Sequence, residues 1–229
     1  MDIGEAVNKR RSVRAFRTDA VPKQVLQEIL GAALRAPSWA NTQPWELAVV
    51  SGQKLETIKR AFLSRPGVRA NPDFPGLEVF PEPYRSRFEG LAAGLSTIAS
   101  RGEEGANGAA WYLQGPVLYG APAAIYVYID RSLCYQGSEL NVWPVFDCGL
   151  LCENIMLLAL NYHLGTIAQA QAVHYPDILR QVLELPETKL MLLGIAIGYP
   201  DTGKAINDYR SEREPVQNVV SWHGFDETG

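Results

Sequence analysis

Cysteine is scarce in this chain: Cys134, Cys148 and Cys152 are the three thiols in 229 residues. They make neither an even disulfide framework nor a Cys-x-x-Cys pair. No signal-peptide pattern opens the sequence, so a reducing cytosol is the simplest expected setting. Cys148 and Cys152 lie one helical turn apart, which admits redox chemistry, but small apolar residues inside a helix are the plainer reading. Histidine is equally scarce. His163, His174 and His223 lie in unrelated contexts, with no His-Glu-x-x-His and no cysteine or acid at ligand spacing, which argues against a metal centre. No Gly-x-Gly-x-x-Gly follows a strand and no Gly-x-Ser-x-Gly elbow occurs, which argues against a dedicated dinucleotide domain and an α/β-hydrolase. Net positive charge is lacking as well. At −4, with a pI near 5.5, the chain has no general attraction for nucleic acid or anionic membranes, so any anion site must be local. The longest apolar stretch, 142–164, is interrupted by Asp147, Glu153 and Asn154 and reads as a buried core helix rather than a membrane span.

What is present is enough apolar residue, 47%, to bury one substantial core, and a single domain over 1–229 is expected. Val25, Leu26, Ile29, Leu30, Ala33 and Leu34 recur at helical spacing, predicting a helix over about 22–36 that Pro37 ends. A short strand over 46–51 precedes a helix whose face carries Leu55, Ile58 and Phe62. Four prolines make 65–82 a loop, and a helix resumes near Tyr84 with Phe88, Leu91, Leu95 and Ile98 on one side until the 102–108 stretch breaks it. Runs 123–129 and 190–197 are apolar on both faces, which predicts strands covered on both sides. Between them lie the long helix ending near His163 and a shorter one after Pro176. Beyond Pro200 the pattern dissolves into a charged tail that must lie on something to stay ordered. No internal repeat, dividing linker or low-complexity tract is visible.

Gly198, Gly203 and Lys204 have the spacing of a phosphate-binding P-loop after an apolar strand, but Ala205 stands where Ser or Thr would hold magnesium and no apolar helix follows. A strand running into a turn is the better reading. Positive charge gathers instead at Lys9, Arg10, Arg11, Arg14 and Arg17. Arg10 and Arg14 are one turn apart if helical, and guanidinium forks suit a phosphate. An exposed basic helix end is the blander alternative. Residues 36–45, Ala-Pro-Ser-Trp-Ala-Asn-Thr-Gln-Pro-Trp, pack an aromatic, a hydroxyl and two amides between prolines, and amides supply both donor and acceptor to the edge of a heteroaromatic ring. Serine and asparagine are also ordinary turn residues.

Taken in order, 10–16, 36–45, the long helix leading into 163–169, 192–200 and 209–215 resemble the FMN-dependent nitroreductase family across almost the whole chain. The resemblance implies an α+β fold with a central mixed sheet flanked by helices, in an intertwined homodimer whose exchanged C-terminal tail, 200–229, lies on the partner subunit. Residues 65–120 then form the variable region covering the substrate pocket. By the same resemblance Arg10, Ser12 and Arg14 contact the FMN phosphate and ring, Arg11 contacts it through its backbone, and Arg213 completes the phosphate site. Ser211 replaces a basic residue frequent in the family, and Arg210 is a candidate to compensate. Pro37, Ser38, Trp39 and Asn41 match the turn that reaches FMN from the other protomer. The stretch 168–171 matches the segment against the flavin ring, with the donor to N5 at Gln169 or Ala170, and Asp147 falls where the family carries a polar residue near the flavin.

The implied activity is NAD(P)H-dependent reduction of nitroaromatic, quinone or similar flat acceptors, with NADH or NADPH and the acceptor using one pocket in turn. No side chain need act as a nucleophile. Arg85 or Arg87 could attract an anionic acceptor, although an exposed helix face accounts for them equally. The rivals are reductive dehalogenation on the same fold, whose Glu, Tyr and Lys lid set is not matched by Glu82, Tyr84 and 111–116, and a non-catalytic flavin-binding protein.

Overall fold

The two wholly apolar runs near 123 and 190 pair at the centre of a four-stranded sheet in the computed structural model, which describes residues 1–65, 69–101 and 110–225. In chain order the elements are α1 (Ile3–Lys9), α2 (Lys23–Ala33), β1 (Trp45–Ser51), α3 (Gly52–Leu63), α4 (Tyr84–Ala99), α5 (Ala110–Leu113), β2 (Ala123–Asp130) and α6 (Arg131–Cys134). A two-residue hairpin, β3 (Tyr135–Gln136) and β4 (Glu139–Leu140), precedes α7 (Trp143–Ala159), β5 (Gly165–Gln169), α8 (Pro176–Leu183), β6 (Lys189–Gly198) and the single turn α9 (Val216–Val219). The proposed helix-breaking stretch 102–108 lies outside the described residues.

The sheet order is β1-β2-β6-β5, and each neighbouring pair is antiparallel. Within one chain the sheet is thus antiparallel throughout, flanked by helices as the α+β class requires. A strand–helix–strand crossover through α7 does leave β2 and β5 parallel to each other, but β6 is inserted between them and opposes both. Among the described residues, parallel pairing is confined to the bridge between Ser12 and Thr166. Apolarity on both strand faces reported coverage, not direction.

That coverage is complete for β2. Ala124, Tyr126 and Tyr128 face Leu55, Ile58 and Phe62 of α3 and Ile178 and Leu179 of α8. The alternate residues, Ile125, Val127 and Ile129, face Ile29 and Ala33 of α2 and Leu151 and Ile155 of α7. Strand periodicity of two therefore feeds two separate cores. Cys134, Cys148 and Cys152 are free and buried in the second. Burial pushes Cys134 up to about 11 and Cys152 up to about 12, and raises Cys148 too, so the thiols stay protonated and serve as packing. The helix 143–162 is long and apolar enough to cross a bilayer by length and composition, yet its Cys148, Leu151, Ile155 and Ala159 are fully or almost fully buried against α2 and the sheet.

Three local expectations change. Helix α2 ends at Ala33, not 36; Arg35 and Ala36 continue in tighter turns, because the residue before Pro37 is disfavoured in α geometry. Helix α1 is an addition to the expected elements: Ile3, Ala6 and Val7 share a face although only Ala6 is buried, and Asp2 starts the helix, its carboxylate accepting from the N–H of Glu5 at 3.0 Å. On α4, Leu95 is fully buried, but Phe88 is exposed and stacks on Phe80. The described part of 65–82 is irregular, and Asp73 pins it: its carboxylate accepts from Arg180 at 2.5 Å and from the N–H of Met191 at 2.7 Å.

Candidate functional site

The N-terminal arginines are not spaced by a helix. Helix α1 closes at Lys9, and Arg10, at φ −56 and ψ 130, starts an extended segment. Val13 donates its N–H to the carbonyl of Thr166 at 3.0 Å, and Phe16 bridges Pro200, so the segment lies along β5 and the exit of β6. Val13 and Phe16 are buried, while Arg10, Arg11, Ser12 and Arg14 are half-buried. The exposed helix-end alternative is thereby set aside: a pleated segment holds these groups against the protein.

The tail reaches the same place through Asn207, only 2% exposed. Its Oδ1 accepts from the N–H of Arg14 at 2.8 Å, and its Nδ2 donates to the carbonyls of Ala15 at 2.8 Å and Asp201 at 2.9 Å. Beyond this clasp, residues 209–213 run back past Arg10 to Arg14. The P-loop alternative fails in the same region: the 3-10 turn Ala205–Asp208 follows Lys204 where a helix would be required.

The two chain ends enclose a cavity of about 500 Å³. It is lined by Arg10, Arg11, Ser12 and Arg14 from one end, Tyr209, Arg210, Ser211 and Arg213 from the other, and by Leu91 of α4 and Glu153 of α7. Five guanidinium groups thus face a single carboxylate. Glu153 approaches Arg10 at 3.5 Å, Arg210 donates to the carbonyl of Lys9 at 3.0 Å, and Arg213 donates to the Ser211 hydroxyl at 2.7 Å. Burial, and after it the charge of Arg210, pull the Arg11 guanidinium below its ordinary pKa. The Nε of Arg11 is buried without a hydrogen-bond partner. A surplus of guanidinium forks with an unsatisfied buried donor among them fits a phosphate monoester, which offers charge and acceptors together.

The turn at 37–43 is built differently. Ser38 is extended and leads into the 3-10 turn Trp39–Asn41; its Oγ accepts from the N–H of Gln43 at 3.0 Å. Ala40, Asn41 and Gln43 have positive φ, 49°, 57° and 45°, which asparagine tolerates better than most residues. Asp147, expected near the ligand, is 3% exposed and accepts from the N–H of Trp39 at 3.1 Å, so it fastens the turn. Pro37, Trp39 and Asn41 are exposed. Trp39 lines a second cavity, of about 510 Å³, with Ser132, Leu133, Tyr135 and Leu140. None of the arginines lines it. Within one chain the two groups of predicted residues are therefore not brought together.

At the end of β5, Gln169 is buried and donates through Nε2 to the carbonyl of Gly115 at 3.1 Å, whereas Ala168 and Ala170 are exposed. Gln169 and Ala170 line neither cavity. Arg85 is paired with Glu82 and Arg87 with Glu214, consistent with a solvated helix face. Sequence reasoning missed Asn207 and Glu153, whose roles depend on contacts between distant parts of the chain. Among the described residues no group of three or more His, Cys, Asp or Glu could hold a metal.

An antiparallel sheet with helices packed on both faces, and an arginine cavity between the N-terminal segment and the tail, define an α+β protein with a site suited to an anion. The nitroreductase family profile matches residues 7–199, and the chain belongs to this family. It is 29% identical to a 4-nitrobenzoate reductase of Pseudomonas putida, covering 98% of this chain and 97% of that one. It is 30% identical to a nitrobenzene nitroreductase of Ectopseudomonas oleovorans, covering 96% of each. Among solved structures, the FMN- and NADPH-dependent nitroreductase NfnB of a Sphigopyxis strain superposes with a TM-score of 0.87 at 27% identity, over 98% of this chain and all of that one.

Proposed function

We propose that this protein is an FMN-dependent NAD(P)H oxidoreductase that reduces nitroaromatic compounds, quinones or similar flat acceptors, with reductant and acceptor using one pocket in turn. The observation that carries the reading is the cavity where five arginines from the two ends of the chain face one carboxylate. Arg10, Arg11, Ser12, Arg14 and Arg213 hold the phosphate. The backbone at Gln169 or Ala170 donates toward N5, and the exposed Ala168 and Ala170 leave room for a flat ring. When bound, FMN supplies the two-electron relay between a nicotinamide and the acceptor. The chain's part is to anchor, orient and shield.

The functional unit in this reading is a cytoplasmic homodimer of single-domain chains. Pro37, Ser38, Trp39 and Asn41 face the cofactor held by the partner subunit's arginines, which is supported by the separation of the two cavities within one chain. Residues 65–120 cover the acceptor and 200–229 embrace the partner. Ile3, Val7, Trp143, Phe146, Val219, Trp222 and Phe225 are all exposed apolar side chains, too many for a solvated surface.

The test is to saturate the purified protein with FMN and follow anaerobic bleaching by NADH or NADPH, then reoxidation by 4-nitrobenzoate, nitrobenzene, menadione and halophenols. Bleaching followed by reoxidation with nitro or quinone acceptors is expected. Retained FMN without NAD(P)H oxidation identifies a flavin-binding protein instead, halide release a dehalogenase, and failure to retain FMN removes the assignment.

A further inference from the structure

Two glycines let the turn that follows β5 come close to its neighbours. Gly194 of β6 pairs with Gln169 at the end of β5, and a Cβ added there would lie 2.6 Å from the Cβ of Ala172. A Cβ added at Gly115 would fall on the Oε1 of Gln171 and 2.8 Å from its Cδ. Neither place has room for a side chain, so residues 171 and 172 sit directly on the backbones of Gly115 and β6. Ala172 and Val173 are buried on that seat, while Ala168 and Ala170 stay exposed.

Gln169 fastens the same seat from the strand side. It is 6% exposed, and its Nε2 donates to the carbonyl of Gly115 at 3.1 Å. Its Oε1 is buried with no hydrogen-bond partner. Half of a carboxamide is thus unsatisfied in the core, a cost that leucine or methionine would not carry, so fold stability does not account for an amide here. What the amide does achieve is to join the end of β5 to Gly115. Gly115 is thereby held between Gln169 and Gln171, the residues on either side of Ala170.

We infer that Gln169 is a positioning residue of the flavin site: its carboxamide, through the bond to the Gly115 carbonyl, sets the place of the 169–170 backbone that donates toward N5. The inference rests on the proposed FMN function. It adds that Gly115, near the end of the segment covering the acceptor, is part of what aims the donor. A bond donated to N5 engages a lone pair of the oxidised ring and loses that acceptor in the reduced ring, where N5 carries a hydrogen. A displaced donor therefore loosens oxidised FMN and leaves reduced FMN nearly as tightly held.

The test compares the full-length wild type with Gln169→Met and with Gly115→Ala, which pushes Gln171 off the same seat. Oxidised FMN is titrated by fluorescence quenching, the midpoint potential of the bound flavin is measured anaerobically, and the cofactor-free proteins are melted. Gln169→Met should weaken oxidised FMN about fivefold, the loss of one neutral hydrogen bond, and so raise the two-electron potential by about 20 mV, with a melting temperature within a few degrees of wild type. Gly115→Ala should move the potential in the same direction. A wild-type potential in either folded variant, with affinity kept or lost equally for both redox forms, overturns the inference and leaves the function standing. A wild-type protein that does not bind FMN overturns both.

Discussion

In the proposed phosphate site Arg213 and Arg11 differ in how the fold holds them. Arg11 is half-buried with an unsatisfied Nε, so a bound phosphate relieves a cost already present in the fold. Arg213 is exposed and donates only to Ser211 and Glu212 beside it, so little of the fold depends on it. Arg213→Ala should therefore weaken FMN binding about tenfold while shifting the cofactor-free melting temperature by no more than a few degrees, checked by flavin fluorescence titration and thermal unfolding. Unchanged affinity would remove Arg213 from the phosphate site. The arginines were legible in the sequence because their chemistry is in their side chains. Asn207 was not: an asparagine in a polar tail carries no mark of a bond to the N–H of a residue 193 positions earlier. Asp147 was noticed, but its task, fastening Trp39, follows only from the packing of α7 under the turn.

Elements translate those residues into geometry, and two of them can be tested by chemistry at their contacts. Helix α4 carries Gly94 where a Cβ would lie 2.5 Å from Cε2 of Tyr209, whose ring lines the arginine cavity. The neighbour is the far part of a side chain, so Gly94→Ala should displace Tyr209 rather than break the helix, and the gain in helix propensity of about 1 kcal/mol offsets part of the strain. The expected result is a melting temperature near wild type with a smaller upward shift on adding FMN; an unaltered FMN-induced shift would mean that Tyr209 does not shape the site. At the other end of the sheet, Asp130 ties strands together. It accepts from the Ser132 hydroxyl at 2.6 Å, from the Ser132 N–H at 3.0 Å and from Lys189 at 3.1 Å, and Lys189 also reaches Glu46 at 2.6 Å. The Ser132 bonds first, then Lys189, hold the carboxyl at about 2, below its ordinary 3.8. A depressed carboxyl binds fewer protons folded than unfolded, so its stabilisation is complete above the unfolded value and is lost as pH falls toward about 2. Between those limits wild type should lose more melting temperature than Asp130→Asn, and parallel curves would contradict this. The helices α2, α3, α4, α7 and α8 and the strands β1, β2 and β6 were readable from periodicity and apolar runs, whereas α1 and β5 were not. Where α2 stops, and the extended course of 10–16, were not, because a proline's reach and a pairing with β5 act across positions that a helical count treats as equivalent.

At the scale of the whole molecule, the decisive fact is that the arginine cavity and the turn at 37–41 lie apart within one chain. The arginine cavity is closed within the chain, whereas the turn at 37–41 is fastened on α7 and faces a different cavity. In the proposed dimer the tail is the clasp: Val216, Val219, Trp222 and Phe225 are 59–73% exposed, and burying side chains of this kind stabilises an assembly by roughly 1.5–3 kcal/mol each. Ending the chain at Pro215 removes these residues but keeps Arg10, Arg11, Ser12, Arg14, Arg210 and Arg213. If the cofactor site is completed across a dimer, the shortened chain should sediment as a monomer and bind FMN far more weakly, although every arginine of the cavity remains. A shortened chain that stays dimeric shows that the tail is not the clasp. One that is monomeric yet binds FMN as wild type does shows that the turn at 37–41 contributes nothing from the partner. The two outcomes separate assembly from ligand binding, which single substitutions in the arginine cavity cannot do because each alters the phosphate contact itself.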